Sequence, residues 1–190
     1  MAPSTVMPRK KRLEESGLIH HACMHAVDGE LVFRCDEDRI GYLAMLAATV
    51  LRYGWHCLSY CLMGTHLHLL VETPEPNFGE GMRWLHGHYG RCFNKQYPPR
   101  KGHLFHDRYH DEPVLTEAHL LNVVPYIATN PAEAALCRHP ADWPWGSHSR
   151  VAAGTPAPWT AHDRLVDRLE AVTGSRKAYE RLVEARLRAY

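Results

Sequence analysis

The sequence has no apolar run of the roughly 20 residues that a membrane-spanning helix needs, and no apolar segment follows the basic cluster near its amino terminus. Its six cysteines include no CxxC pair, which disfavours a zinc ribbon or a disulfide framework and favours free thiols in a reducing compartment. A formal net charge of +1 leaves nucleic-acid binding open, because the distribution of charge matters more than its sum. We expect a soluble, cytoplasmic protein with no membrane partner.

The length of 190 residues corresponds to one domain with room for an extension. Residues 1–16 are polar and predict a flexible arm, which either contacts nucleic acid or is a solvated tail without a role. Residues 17–150 form the predicted core, and residues 151–190 begin as a linker and continue as a mixed-charge helical tail. The basic residues of the arm are Arg9, Lys10, Lys11 and Arg12.

The predicted order strand, helix, strand, strand, helix gives an α+β fold, a sheet with helices on one face. Strands are predicted at 18–26 and 30–33, joined by a hairpin turn at Asp28-Gly29, and at 55–63 and 66–72. Helices are predicted at 36–53, 78–97 and 116–130, the last with a kink at Pro125. The apolar face of the first helix is predicted from Ile40, Leu43, Leu46, Ala47, Val50 and Leu51.

Basic residues are in excess between residues 83 and 108, where Asp107 is the single acid. Aromatic residues alternate with these bases, and together they favour a nucleic-acid surface with stacking side chains over a merely solvated helix and loop. The bases proposed to contact nucleic acid are Arg83, Arg91, Lys95 and Arg108, and the aromatics are Trp84, Tyr89, Phe93 and Tyr97.

Two histidines, His66 and His68, interrupt the apolar segment YCLMGTHLHLLVE. Because side chains two apart on a strand share a face, both imidazoles can reach one ligand. The pair is therefore either half of a metal site or a hydrogen-bonded core pair.

Tyr126 and Asn130 lie four residues apart in a predicted helix, which places them on one face. This spacing brings a hydroxyl nucleophile and an oxygen ligand to one place, although a half-buried tyrosine with its hydroxyl at the surface has the same pattern.

Six segments, in this order, closely resemble the REP-associated tyrosine transposases, part of the insertion-sequence-200-like group of HUH single-tyrosine transposases. The resemblance spans about residues 17–150. The family's two-histidine signature falls on His66, Leu67 and His68, its nucleophile on Tyr126, and its third metal ligand on Asn130. The segments are EDR, YCLMGTHLHLLVE, HYGRCFN, GHLFHDRYH, YIATNP and WPWGSHS.

The resemblance implies a ferredoxin-like, RRM-like sheet, with the histidine pair on a central strand and Tyr126 on a flanking helix. It implies a DNA transposase that cleaves and rejoins single-stranded DNA, at hairpin repeats, through a 5′-phosphotyrosine intermediate. Mg²⁺ or Mn²⁺ is the expected cofactor. Because such transposases include monomers and dimers, a homodimer stays open. His106 and His110 are candidates for proton transfer or phosphate contact.

Two alternatives remain at this point. A non-cleaving regulator that binds DNA hairpins explains the basic residues but not the joint presence of the histidine pair and Tyr126. A metal-dependent hydrolase that uses water needs the histidines but not Tyr126.

The predicted first strand departs from the family pattern. Relatives carry an arginine-glycine pair there, whereas this sequence reads HHACMHAVDG.

Overall fold

The computed structural model describes residues 13–106 and 109–190. A four-stranded antiparallel sheet has the order β2-β3-β1-β4, so β3 and β1 are its central strands. The predicted α+β architecture is confirmed. The strands are β1 (Leu18–His25), β2 (His56–Leu62), β3 (His66–Thr73) and β4 (His110–Pro113); the helices are α1 (Asp36–Tyr53), α2 (Phe78–Gln96), α3 (Glu117–Glu133), α4 (Ser147–Ala152), α5 (His162–Thr173) and α6 (Ala178–Ala189).

Helices cover both faces of the sheet, so the expectation of helices on one face is wrong. Successive side chains of β1 point to opposite sides. Ala22 and Met24 join the apolar cluster formed with α1 and α2, whereas Ile19 joins the cluster formed with α3, α5 and α6. The central strands are thus buried on both sides, and they carry buried polar side chains, among them His20, His21 and His68, between their apolar residues.

Helix α1 begins and ends at the predicted residues. The Asp38 carboxylate accepts the backbone N–H groups of Arg34 and Cys35, and Gly54 ends the helix with a left-handed φ of 66°. The buried face differs from the predicted one, because Ile40 and Leu51 are 58% and 77% exposed. A residue outside the predicted stripe, the fully buried Tyr42, contributes instead.

The predicted hairpin strand at 30–33 does not form. Val27–Gly29 is a short 3₁₀ helix in which both Asp28 and Gly29 have positive φ. Val32 and Phe33 are buried, and their backbone N–H groups donate to the Gly64 carbonyl. The apolar residues here enter the core from a loop, while β1 pairs with β3 and β4.

Helix α3 continues through Pro125 and Pro131, so Pro125 does not break the helix that carries Tyr126. Thr116 caps its amino-terminal end by accepting from the His119 N–H at 3.1 Å. The Thr129 hydroxyl donates to the Pro125 carbonyl at 2.9 Å and adds a side-chain bond beside the proline. Tyr126 and Asn130 therefore keep their one-turn relation.

The carboxy-terminal segment is helical as predicted, in two helices: α6 packs on α3, and α5 packs on β2 and α6. Leu165, Leu169 and Tyr179 are buried in the same apolar cluster as α3. Glu72 at the end of β3 accepts hydrogen bonds from Arg164 and Arg168 of α5 at distances of 2.6–2.8 Å. Boundaries at residues 16 and 150 stay predictions.

Among the described residues, none of the helices combines the length and the apolar character needed to cross a bilayer.

Candidate active site

The histidine pair lies at the middle of the sheet, on the face covered by α3. His66 and His68 are separated by one residue on β3, and their ring centroids are 5.2 Å apart. His68 is 2% exposed, whereas His66 is half-buried. The two imidazoles therefore share one face, as the alternation predicts.

Helix α3 brings Tyr126 and Asn130 onto this pair. The Tyr126 ring meets the His68 ring edge-on, with centroids 5.2 Å apart. The Asn130 side chain interacts with both the His66 imidazole and the Tyr126 hydroxyl. The structure thus brings together His66, His68, Tyr126 and Asn130, and it does so within a single chain.

Strand β1 adds three side chains that sequence reasoning missed. The register places Cys23 opposite His68 and His25 opposite His66. The His25 ring stacks on His66 with centroids 4.9 Å apart, and His21 Nε2 lies 3.2 Å from His68 Nδ1. The available signal was the period-two spacing of residues 21, 23 and 25, which by itself does not reveal the neighbouring strand.

Burial governs the electrostatics of the histidines. Burial, followed by neighbouring His21, His66 and His25, lowers the pKa of His68 to about 3. Burial likewise lowers the pKa of His21 to about 4 and, more modestly, that of His66. All three imidazoles are therefore neutral near pH 7, the form in which a histidine can ligate a metal ion.

The donor set fits a divalent cation only if Asn130 takes part. No group of three histidine, cysteine or acidic side chains suited to a metal ion occurs in residues 13–106 and 109–190. Two neutral imidazoles and an amide oxygen nevertheless meet at this site. The Nε2 atom of His68 is buried and has no hydrogen-bond partner among the described residues, as expected of a ligand atom.

Tyr126 is protonated near neutral pH. Burial raises its pKa, with a further rise from Cys23 and Glu133, while the Asn130 side chain and Arg186 act in the opposite direction. Arg186 of α6 lies over the ring at 5.2 Å and also bonds Glu133 and Thr129. The carboxy-terminal helix thus contributes a charge beside Tyr126.

The proposed basic contacts lie away from this cluster. Arg83, Arg91 and Lys95 are exposed on α2, which packs on the opposite face of the sheet from α3. Arg9, Lys10, Lys11, Arg12 and Arg108 fall outside the described residues.

The interleaved aromatics do not form the expected stacking surface. Tyr89 and Phe93 are 3% and 1% exposed and belong to the core between α2 and the sheet. Trp84 and Tyr97 are half-buried. Helical spacing alone did not separate aromatics that pack inward from aromatics that face solvent.

Of the two remaining histidine candidates, His110 lies at the edge of the site. It stands opposite Cys23 on β4, on the face of the histidine pair, and is exposed. The His106 backbone N–H donates to the His25 carbonyl at 3.0 Å. A proton-transfer or phosphate role for either stays a prediction.

Two of the recognised segments have a packing role. Arg39 of the EDR segment lies 5.5 Å from the Trp145 ring and 6.0 Å from the Trp143 ring. Trp143 donates its indole N–H to the Leu62 carbonyl, and the Ser147 hydroxyl accepts the Tyr60 N–H. These contacts hold the carboxy-terminal part of the core against β2, the strand that pairs with β3.

Comparisons with known proteins bear on the family and the fold of this chain. A family model described as "Transposase IS200 like" matches residues 20–130, which include the histidine pair, Tyr126 and Asn130. Curated protein sequences gave no significant match. Among solved structures, a REP-associated tyrosine transposase bound to a REP hairpin is 15% identical with a TM-score of 0.64, covering 80% of this chain and 90% of that chain. This likeness shows the fold, and because the family model spans more than half of the sequence, the chain belongs to the IS200-like transposase family.

Proposed function

We propose that this protein is a DNA transposase that cleaves and rejoins single-stranded DNA with Tyr126 as the nucleophile. One observation carries the proposal: the Tyr126 ring lies against His68, and the Asn130 side chain interacts with both Tyr126 and His66. Family membership supports the same chemistry. A core pair of histidines would not require a tyrosine and an amide beside it.

His66, His68 and Asn130 would hold a divalent ion, Mg²⁺ or Mn²⁺, through two imidazole nitrogens and one amide oxygen. When bound, such an ion acts as a Lewis acid on the scissile phosphate. The other residues bind and orient. Asn130 would orient the Tyr126 hydroxyl, and burial raises the pKa of that hydroxyl above its ordinary value.

The covalent step is a transesterification. The Tyr126 oxygen forms a bond to phosphorus as the bond from phosphorus to the 3′ oxygen breaks. The hydroxyl proton is released, and the 3′ oxygen takes up a proton and leaves as a 3′-hydroxyl. The 5′-phosphotyrosine retains the energy of the broken linkage, so rejoining needs no external energy source.

We further propose that the substrate contains a DNA hairpin. The solved structure with the similar fold is bound to a REP hairpin, and this chain resembles the same group in its motifs. Exposed Arg83, Arg91 and Lys95, together with the basic residues 9–12 and Arg108, would contact phosphates. A homodimer stays a prediction. It is not needed to complete the proposed site, because one chain supplies both histidines and the tyrosine.

The test is a denaturing-gel assay with Mn²⁺ or Mg²⁺. Its substrates are labelled single-stranded hairpins taken from the DNA that flanks the gene of this protein. We expect a covalent protein-DNA adduct that is lost in Tyr126→Phe and His66→Ala. Tyr53→Phe is the matched control. Tyr53 lies at the end of α1, and among the described residues its hydroxyl donates a hydrogen bond only to the Glu80 carboxylate.

Other outcomes identify the alternatives. Cleavage without an adduct that survives Tyr126→Phe indicates a water-using hydrolase. Tight binding of hairpins with no cleavage by the wild type indicates a non-cleaving regulator.

A further inference from the structure

We infer that His21 on β1 is a positioning residue of the metal site, holding His68 in the tautomer whose Nε2 lone pair faces the cation. The inference rests on the proposed metal-binding role of His68. It adds a residue outside the two-histidine signature and assigns it a defined effect, namely the choice of which ring nitrogen of His68 carries the proton.

The contact between the two rings is direct and shielded from solvent. His21 Nε2 lies 3.2 Å from His68 Nδ1, and the rings stack with centroids 5.4 Å apart and an interplanar angle of 24°. His21 is 8% exposed and His68 is 2% exposed. The pairing of β1 with β3 fixes both backbones, since His21 lies opposite Leu70 and Cys23 lies opposite His68.

Only one assignment of the shared proton suits the other side of the His68 ring. If His21 donated to His68 Nδ1, neutral His68 would carry its proton on Nε2. That N–H would be a buried donor without an acceptor, because Nε2 has no partner among the described residues. If His68 Nδ1–H donates to His21, Nε2 presents a lone pair that a cation can fill.

The second histidine shows the same arrangement. His66 Nδ1 lies 3.2 Å from the Thr65 hydroxyl oxygen, which can accept a hydrogen bond from an N–H at that position. Both histidines therefore have an oxygen or nitrogen partner at Nδ1. Ligating histidines commonly donate their second ring N–H to such a partner, which fixes the ring and its tautomer.

The first test observes the tautomer in metal-free protein. Long-range ¹H–¹⁵N correlation spectra of ¹⁵N-histidine-labelled wild type, assigned with His68→Ala, report which nitrogen of His68 is protonated. We expect the proton on Nδ1. A proton on Nε2 would overturn the inference.

The second test measures the affinity for Mn²⁺ alone, by electron paramagnetic resonance of the free ion. We expect His21→Leu to weaken binding by about 10- to 100-fold, the usual effect of losing such a partner. His21→Gln should stay within a few-fold of wild type, because its amide oxygen can accept from His68 Nδ1. His88→Leu, at a partly exposed histidine of α2 on the opposite face of the sheet, is the control.

The outcomes separate this inference from the proposed function. Wild-type affinity in His21→Leu, with affinity lost in His68→Ala, overturns the role of His21 and leaves the metal site intact. Equal affinity in wild type and His68→Ala overturns both. Recovery of affinity in His21→Gln, with thermal unfolding of the variants matching wild type, supports positioning over a general packing effect.

Discussion

At the scale of single residues, Asn130 is the side chain that connects the two halves of the proposed site. Its side chain interacts with His66 on the sheet and with Tyr126 on its own helix. In Asn130→Ala we expect the rate of adduct formation to fall about 100-fold or more, as when a positioned catalytic donor is removed. Single-turnover gel assays check this.

The matched control is Asn122→Ala, on the exposed face of the same helix. Asn122 donates only to the Ala118 carbonyl in the contacts seen here, so its removal should leave adduct formation unchanged. Comparable loss in both variants would mean that α3 had been perturbed as a whole.

Residue-level prediction succeeded where a pattern is local. The spacing of His66 and His68 on a strand, and of Tyr126 and Asn130 on a helix, predicts which pairs share a face. It does not predict that the two pairs meet, which came from the family resemblance. The sequence alone did not predict a role for His21, because its contact with His68 depends on the pairing of β1 with β3.

At the scale of elements, a tight contact between α2 and the residue preceding β2 depends on Gly81. A Cβ at this position would collide with the buried Trp55 ring. We expect Gly81→Ala to lower the free energy of unfolding by about 1–3 kcal/mol, the usual effect of overpacking. Chemical denaturation monitored by circular dichroism measures it.

Gly87, in the same helix, is the matched comparison. A Cβ added at Gly87 would lie 3.7 Å from the guanidinium of Arg91, which is the end of a flexible side chain. Gly87→Ala should therefore raise stability by about 0.5–1 kcal/mol, because alanine favours the helix. Equal destabilisation in both variants would contradict the assigned contact.

A second element-level interaction ties β3 to α5 through Glu72. Burial raises the pKa of this carboxyl, but its bonds to Arg164 and Arg168 outweigh burial and hold the pKa below the ordinary value of 4.5. Because the folded-state pKa is depressed, the ion pairs stabilise the fold above about pH 4.5. That contribution is lost as the pH falls through the folded-state pKa.

Glu72→Gln should therefore lower the free energy of unfolding at pH 7 by about 1.5–3 kcal/mol, the range for hydrogen bonds to a charged group. The difference from wild type should shrink as the pH falls below about 4.5. Urea denaturation across pH 3–7 in roughly half-unit steps tests this. Exposed Glu75→Gln is the control, and a deficit independent of pH would contradict the ionic origin.

Element boundaries followed from the sequence better than element packing did. The start and end of α1 have chemical markers in the chain, namely acidic residues and Gly54. Which face of α1 is buried has no such marker, and exposed Ile40 and Leu51 show that apolar spacing was insufficient. The loop at 30–33 likewise buries Val32 and Phe33 without strand pairing.

At the scale of the whole molecule, the sheet separates the exposed bases of α2 from the nucleophile on α3. We expect Arg83→Gln, Arg91→Gln and Lys95→Gln combined to reduce the slope of log affinity against log salt by up to about 2, since each single-strand phosphate contact contributes about 0.7. Fluorescence anisotropy with a hairpin oligonucleotide at several salt concentrations measures the slope.

The control replaces three exposed cations at the carboxy-terminal end, Lys177, Arg181 and Arg188, with glutamine. Their neighbours include Glu180 and Glu184, which offset two of the three positive charges. An unchanged slope in the α2 variant, or an equal fall in both variants, would remove α2 from the proposed DNA surface.

The position of α2 behind the sheet also bears on the length of oligonucleotide that the protein needs. A strand that contacts both α2 and Tyr126 has to pass around an edge of the sheet, whereas a strand that only reacts with Tyr126 does not. Short oligonucleotides should then be cut while binding weakly, and added nucleotides should tighten binding before they change the rate of cutting. Target choice and strand cutting would in that case depend on different stretches of the same DNA.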